Sequence, residues 1–289
     1  MKTKHILIFE HDVLKYPPIL SVINYLFSQN KEVILIGYSS SESFVDDFCK
    51  RGGVFYNVIE NRVSDNLFIK TINYLQFKRR VHKIISKYQV AESKVWLFGE
   101  PCIWLLHDLV LKFESNLYLF EIPSFKVRFR YKVLSPTLNY GKTLRVASKV
   151  VCCEYNRAHI TKSFFKLNDL PVVIPNKPLI QDSEIVENIS KELVTKIKGK
   201  KVILYQGIFN YPERRLDEFC EAMSYLPDDY VLCLMGSDNK YKENLKVKFQ
   251  SDKIIFMPYI SAPHHLAITK LAHIGILVYN GEGVILKTH

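Results

Sequence analysis

The residues best suited to chemistry stand in the stretch 201–236, KVILYQGIFNYPERRLDEFCEAMSYLPDDYVLCLMG. Gly207 ends an apolar run, and Arg214 and Arg215 follow a loop carrying Asn210 and Pro212. Two adjacent guanidiniums beyond a glycine fit a phosphate-rich anion, because arginine presents a planar fork of donors to phosphate oxygens. The spacing predicts that the pair opens a helix, where a cation loses a few tenths to ~1 kcal/mol against the helix dipole. An anion such as a diphosphate docked at the same terminus would reverse that penalty. The same residues also fit two solvated arginines offset by Glu213, Asp217 and Glu218. A second candidate is Glu121, just beyond the apolar run 117–120. The carboxyl end of a strand is where α/β sheets carry polar functional groups; capping a loop or pairing with Arg128 is the structural alternative. A third group, His11, Asp12, Lys15 and Tyr16, follows the first apolar run. That loop lacks GxGxxG, so nothing supports a bound NAD.

These groups need a frame. Val202 to Tyr205 reads as a strand buried on both faces of a parallel sheet. Leu216, Phe219, Cys220, Met223 and Leu226 mark one apolar helical face, and Tyr230 to Met235 form the next strand. Upstream, strands are expected at Ile6 to Phe9, Val33 to Gly37, Val54 to Ile59, Val95 to Phe98, Leu117 to Phe120 and Lys149 to Cys153. Helices are expected at Ile19 to Gln29, at about 66–87, at about 102–113 and at Ala158 to Phe165. Strands alternating with helices predict a doubly wound parallel sheet. Pro175-Asn176-Lys177-Pro178 is a breaker cluster. It divides the chain into domains 1–175 and 176–289.

A 289-residue chain suits two such domains. With 48% hydrophobic and 24% charged residues it has the composition of a globular protein. The net charge of +11 implies attraction to anions: nucleotide, anionic lipid or nucleic acid. The six cysteines form no CxxC pair and no ligand spacing with histidine, so a zinc site is not expected. Most lie in apolar runs and read as buried thiols in a reducing compartment. No secretory signal and no apolar run of about 20 residues is present, which points to a cytoplasmic protein that can touch a membrane surface. Lys78, Arg79, Arg80 and Lys83 read as a solvated basic face. In KVRFRYK (126–132) cations alternate with Val, Phe and Tyr, a pattern for an edge meeting phosphates or lipid headgroups, or for a surface loop with buried aromatics.

Taken together, the motifs resemble a GT-B glycosyltransferase of the large retaining family four, or group 1, type. They are the strand ending YQG followed by RRLDEF, EAM and YLP, the strand ending LMG, and IIFMPYISAPHHLAITKLAHIGILVYN. Upstream, HDVLKYPPILSVINYL resembles the opening loop and helix, and VVCCEYNRAHI with LPVVIPNKP resembles the last strand of the first domain and its crossover. The resemblance covers nearly the whole chain. It implies two Rossmann-like domains facing each other across a cleft, the first binding an acceptor and the second a nucleoside-diphosphate sugar. It implies no metal and no cofactor, since cations and helix termini stabilise the leaving diphosphate. Carried over, Gly207 lets backbone approach the phosphates, and Arg214 or Arg215 supplies the cation of the cleft. Where many relatives have a basic residue after the glycine, this chain has Ile208. Glu121 falls near an acceptor-facing position and is the candidate catalytic residue.

The resemblance further implies an E-x7-E segment beyond the fourth strand of the second domain, Ile276 to Tyr279, where only Asn280 to His289 remains. The spacing recurs at Glu92 with Glu100 and at Glu213 with Glu221, both in the wrong context. The second domain therefore reads as incomplete and the chain as truncated relative to its relatives. The leading reading is transfer of a sugar from a nucleoside-diphosphate sugar to a glycan or lipid-linked acceptor in surface polysaccharide synthesis, with peripheral contact at the inner face of the cell membrane. The alternatives are a non-catalytic remnant with binding function only and a nucleotide-sugar 2-epimerase. A nucleic-acid partner is not expected, because the basic residues are dispersed and no recognition module is present.

Overall fold

The computed structural model describes residues 3–58, 67–176, 191–260 and 264–278. Ile59, Asn66, Lys177, Pro178, Tyr279 and the tail 280–289, all included in the expectations above, lie outside them. The chain divides into two compact units, Met1–Leu179 and Ile180–His289.

The first unit alternates β1 (Lys4–Asp12), α1 (Pro17–Ser28), β2 (Glu32–Tyr38), α2 (Glu42–Lys50), β3 (Val54–Asn57), α3 (Leu67–Ile85) and β4 (Ser93–Phe98). It continues through α4 (Glu100–Leu105), α5 (His107–Val110), β5 (Glu114–Leu119), α6 (Phe129–Leu134), α7 (Tyr140–Val146), β6 (Lys149–Cys152), α8 (Tyr155–Phe165) and β7 (Val172–Val173). The strands form one parallel sheet in the order β3-β2-β1-β4-β5-β6-β7. Successive side chains of a strand point to opposite faces, so β1 serves two cores. Ile6 and Ile8 pack with Val95, Leu97 and Trp104 on one side, and Leu7 and Phe9 with Ile19, Ile23 and Phe98 on the other.

Three boundaries differ from the sequence expectation for identifiable reasons. β1 runs on to Asp12, so His11 and Asp12 belong to the strand end rather than to a loop. Pro17 and Pro18 open α1 instead of preceding it, since proline lacks only a donor that the first turn leaves unbonded anyway. The helix expected over 102–113 is two short helices. Leu106 leaves helical geometry, and His107 turns to place Nδ1 3.3 Å from the Trp104 carbonyl and Nε2 3.0 Å from the Thr137 hydroxyl.

The second unit runs α9 (Lys191–Ile197), β8 (Lys201–Gln206), α10 (Asp217–Ala222), β9 (Tyr230–Met235), α11 (Lys240–Lys248), β10 (Ile254–Met257), α12 (His265–Thr269) and β11 (Ile274–Ile276). Among the described residues its parallel sheet has four strands in the order β10-β9-β8-β11. Val202 and Leu204 face one core with Val231 and Cys233; Tyr205 faces the other with Phe209, Leu216 and Leu234. Cys102, Cys152, Cys220 and Cys233 are buried thiols, as their apolar contexts imply, and burial pushes the Cys233 thiol up to about 11.

Candidate functional site

In open parallel sheets ligands bind beyond the carboxyl ends of the strands, where the strand order reverses. In the second unit that point lies between β8 and β11. Gly207 follows β8 directly, and its amide donates to the Met235 carbonyl at the end of β9, 3.0 Å away. The chain then passes through Phe209, buried in the core, and an exposed turn at 210–212 before it reaches the arginines.

The two arginines separate. Arg214 is half-buried and its guanidinium donates to the Val278 carbonyl, just past β11, so it spans the reversal point. Arg215 is exposed and pairs with Glu218 at 2.9 Å. Both precede the helix, which starts at Asp217 with Leu216 as its capping residue, so the expectation that they open it is corrected. The first turn carries Asp217 and Glu218 instead, the favourable sign for that terminus. The turn is held from α11: the Leu216 amide donates to the Tyr241 hydroxyl (2.7 Å), which donates to Asp217 (2.6 Å). Burial, with the Asp217 carboxylate, holds the Tyr241 phenol well above its ordinary value.

Beneath this loop lies Gly236, immediately after β9. A β-carbon there would overlap the Gly207 carbonyl and approach the Phe209 ring to 2.8 Å. Glycine is therefore required for the two strand ends to meet. Lys242 of α11 secures the same corner. It is 1% exposed, and its Nζ donates to the carbonyls of Gly236 and Met257, both at 2.7 Å, and pairs with Asp238 at 2.8 Å.

In the first unit the order reverses between β1 and β4. The end of β1 supplies Glu10, 1% exposed, with His11 Nε2 3.5 Å from its Oε1. The His11 ring stacks on Tyr16 (6.0 Å between centroids, 7° between planes), and Phe9 and Phe120 pack against Tyr16. Asp12 is occupied locally, accepting from the amides of Leu14 (3.2 Å) and Ser40 (3.3 Å). After β4, Gly99 adopts φ +80°, a conformation open to glycine at little cost, and delivers Glu100 into the interior. Glu100 accepts from the Ser124 amide (2.7 Å), the Ser124 hydroxyl (2.8 Å) and the Tyr140 hydroxyl (2.9 Å).

Burial raises the Glu100 carboxyl above its ordinary value, and the hydrogen bonds from Ser124 and Tyr140 and the charge of Arg128 only partly oppose it. Between the ordinary and the raised value the folded chain binds more protons than the unfolded one, so this group's contribution to stability falls as pH rises through that window. Glu100→Gln removes the titration. Urea unfolding across the carboxylate range should therefore show the wild type losing stability relative to this variant as pH rises, then levelling off. A wild type that instead gains stability relative to the variant as pH rises would contradict the raised value.

Glu121 lies two residues past β5, with its side chain 80% exposed, and it pairs with Arg157 of α8 at 2.9 Å. The pairing with Arg128 considered from the sequence is thus replaced by one with Arg157. Arg157 also donates to the Phe120 carbonyl (3.0 Å) and to Cys153 Sγ (3.0 Å), and so ties the ends of β5 and β6 together. An exposed ion pair contributes at most about 1 kcal/mol. Glu121→Ala should leave chemical-denaturation stability within that range, whereas Arg157→Ala, which strips three contacts, should cost more. Equal losses would contradict this division.

Sequence reasoning missed Glu10, Glu100 and Lys242 as site-building groups. Glu100 was open to the argument used for Glu121, since each lies two residues past the end of its strand. Lys242 carried no such signal, because a lysine in KYKENLKVK reads as one more solvated helix cation.

No protein-family model matches the chain, and no curated protein matches it. Solved structures do. A glycosyltransferase from Rickettsia africae is similar with a TM-score of 0.60 and 16% identity over 95% of this chain and 72% of that one. An Anabaena protein in complex with UDP-glucose is similar at 0.58 and 12%, covering 94% and 72%. A putative UDP-N-acetylglucosamine 2-epimerase from Listeria monocytogenes is similar at 0.62 and 11%, covering 95% and 74%. Identities this low speak for architecture only. The chain has the parallel α/β architecture of the GT-B glycosyltransferases, with Rossmann-like sheets of seven and four strands.

Proposed function

We propose that the chain is a glycosyltransferase that takes a sugar from a nucleoside-diphosphate donor and passes it to a glycan or lipid-linked acceptor, in the retaining manner of the family it resembles. The observation that carries this reading is Arg214, a guanidinium spanning the strand-order reversal of the second sheet beside a glycine-ended strand. In this reading residues 176–289 bind the donor. Arg214 lies against the diphosphate, where charge develops as the glycosidic bond to phosphate breaks, and a fixed cation there lowers the barrier without a metal. Gly207 keeps the strand end low enough for phosphate oxygens to approach, and Arg215, exposed and paired with Glu218, plays the lesser part. Residues 1–175 bind the acceptor at the carboxyl ends of their own sheet, where Glu121 is the candidate catalytic group and His11 and Tyr16 stand at the end of β1. Peripheral contact through the 126–132 region would bring a lipid-linked acceptor within reach.

The test is release of nucleoside diphosphate from a panel of UDP- and GDP-sugars by the full chain, with and without a chelator, in the presence of a lipid extract. Release from one donor, unaffected by chelation, supports the reading. Failure of every nucleoside diphosphate to bind would overturn it. Conversion of UDP-N-acetylglucosamine to its 2-epimer would instead favour the epimerase reading, which the likeness to the Listeria protein keeps in view.

A further inference from the structure

The exposed apolar side chains of the first unit are unevenly placed. Phe129 of α6 is 81% exposed and Val133, one turn on, 61%. On α3, Phe68 is 72% exposed, with Ile69 and Ile72 also outward. A solvated helix face normally carries polar groups at such positions, and contiguous apolar exposure marks an interaction site.

α3 and α6 lie side by side and advance together. The Tyr74 and Tyr131 rings are 5.4 Å apart and Arg130 sits 6.0 Å over Tyr74. One turn further, Lys78 Nζ reaches the Leu134 carbonyl (3.3 Å) and the Ser135 hydroxyl (3.1 Å). This pairing corrects part of the sequence expectation. Lys78 joins the two helices, and Arg80 donates to the Val58 carbonyl at 3.2 Å, while Arg79 and Lys83 remain exposed. The same register sets Phe129 alongside the opening turns of α3, where Phe68, Ile69 and Ile72 emerge.

Along α3 and α6 themselves the charged residues have one sign, and a carboxylate that pairs with α3, Asp108 of α5, meets His82 in its last turn at 3.4 Å. Residues 66–91 contain six lysines and arginines and no aspartate or glutamate; residues 122–153 contain seven and none. Lys126, Arg128 and Lys132 are exposed, flanking Phe129 and Val133. KVRFRYK is thus neither a simple alternating edge nor a loop with all its aromatics inside, because Tyr131 is buried and Phe129 points out.

We propose that the paired outer faces of α3 and α6 dock on an anionic lipid bilayer. The proposal rests on the membrane contact of the reading above and is independent of its transfer chemistry. Apolar side chains enter the acyl boundary while lysines and arginines meet lipid phosphates. None of the helices among the described residues is long and apolar enough to cross a membrane, and the docked helices lie in the headgroup plane. A single-stranded nucleic acid fits less well: Phe68 and Phe129 offer bases a ring, but Val133, Ile69 and Ile72 between and beside them give neither a ring nor a donor.

Co-sedimentation of the full chain with vesicles tests this. Vesicles of about one-third anionic phosphatidylglycerol should retain the wild-type chain, neutral phosphatidylcholine vesicles should not, and about 0.5 M salt should release it. Phe129→Ser with Val133→Ser should weaken retention at least ~10-fold with the melting temperature unchanged, because both side chains are already in water. Charge reversal at Lys126, Arg128 and Lys132 should do the same, while reversal at exposed Lys198, Lys240 and Lys270 of the second unit, an equal change in net charge, should not. Equal losses from both reversals, retention unaffected by the apolar pair, or equal binding to neutral vesicles would each overturn the proposal. So would binding of an oligonucleotide that displaces the vesicles and depends on the same apolar pair. UDP binding measured on the same variants separates failure here from failure of the donor assignment.

Discussion

Arg214→Ala should remove most of the rise in melting temperature that UDP or GDP gives the wild-type chain, and Arg215→Ala should leave most of it. The guanidinium of Arg214 is already oriented by the Val278 carbonyl across the reversal point, so little side-chain freedom remains to be lost on binding. A charge-assisted hydrogen bond is worth roughly 1.5–3 kcal/mol, or about one to two orders of magnitude in affinity. At a fixed ligand concentration that loss brings the ligand-dependent stabilisation close to zero. Arg215 is exposed and paired with Glu218, so its field at the site is screened. Arg214→Lys is the control for folding. It keeps the charge and loses the fork, and should give an intermediate shift with an unchanged ligand-free melting temperature. Full shifts in both alanine variants would remove the phosphate assignment.

Lys242→Ala should be among the most destabilising single changes in the second unit. Its ammonium group is the only donor shown to reach the Gly236 and Met257 carbonyls from a side chain among the described residues, and it is anchored by Asp238. Asp238 titrates below its ordinary value, chiefly through the hydrogen bond from Lys242. Truncation leaves the buried Gly236 carbonyl without this donor, at about 1–3 kcal/mol, and empties the space of a buried side chain, while the Met257 carbonyl keeps the Gly236 amide at 3.3 Å. A loss of about 2–5 kcal/mol in urea unfolding is the expected result. Asp238→Asn, which alters only the exposed end of the arrangement, should cost far less. Comparable losses for the two variants would show that the ion pair, rather than carbonyl satisfaction, holds the corner.

The strand–helix alternation was legible because each central strand is an apolar run with turn residues at its end, a pattern that burial on both faces imposes. Gly207 and Glu121 were found because they stand directly after such runs. The arginines were found by type but lie two and three residues before the helix they were expected to open. Apolar periodicity extends from Leu216 to Leu226, yet the regular helix covers only Asp217–Ala222, and periodicity does not reveal where backbone bonding begins. The choice between Arg214 and Arg215 was not legible either. It depends on the end of β11, more than 60 residues away, which only the sheet order brings beside β8. Lys242 lies at the other extreme, because its burial depends on a cavity made by Gly236, Phe209 and Met257, none of which is its sequence neighbour.

The most direct test of the donor site is hydrogen–deuterium exchange of the full chain with and without UDP. Slower exchange is expected in the segment from Gly207 to Arg215 and around Gly236, at the ends of β8 and β9, and unchanged exchange in α3 and α6. Protection confined to the first unit, or saturating UDP with no protection at those strand ends, would contradict the account.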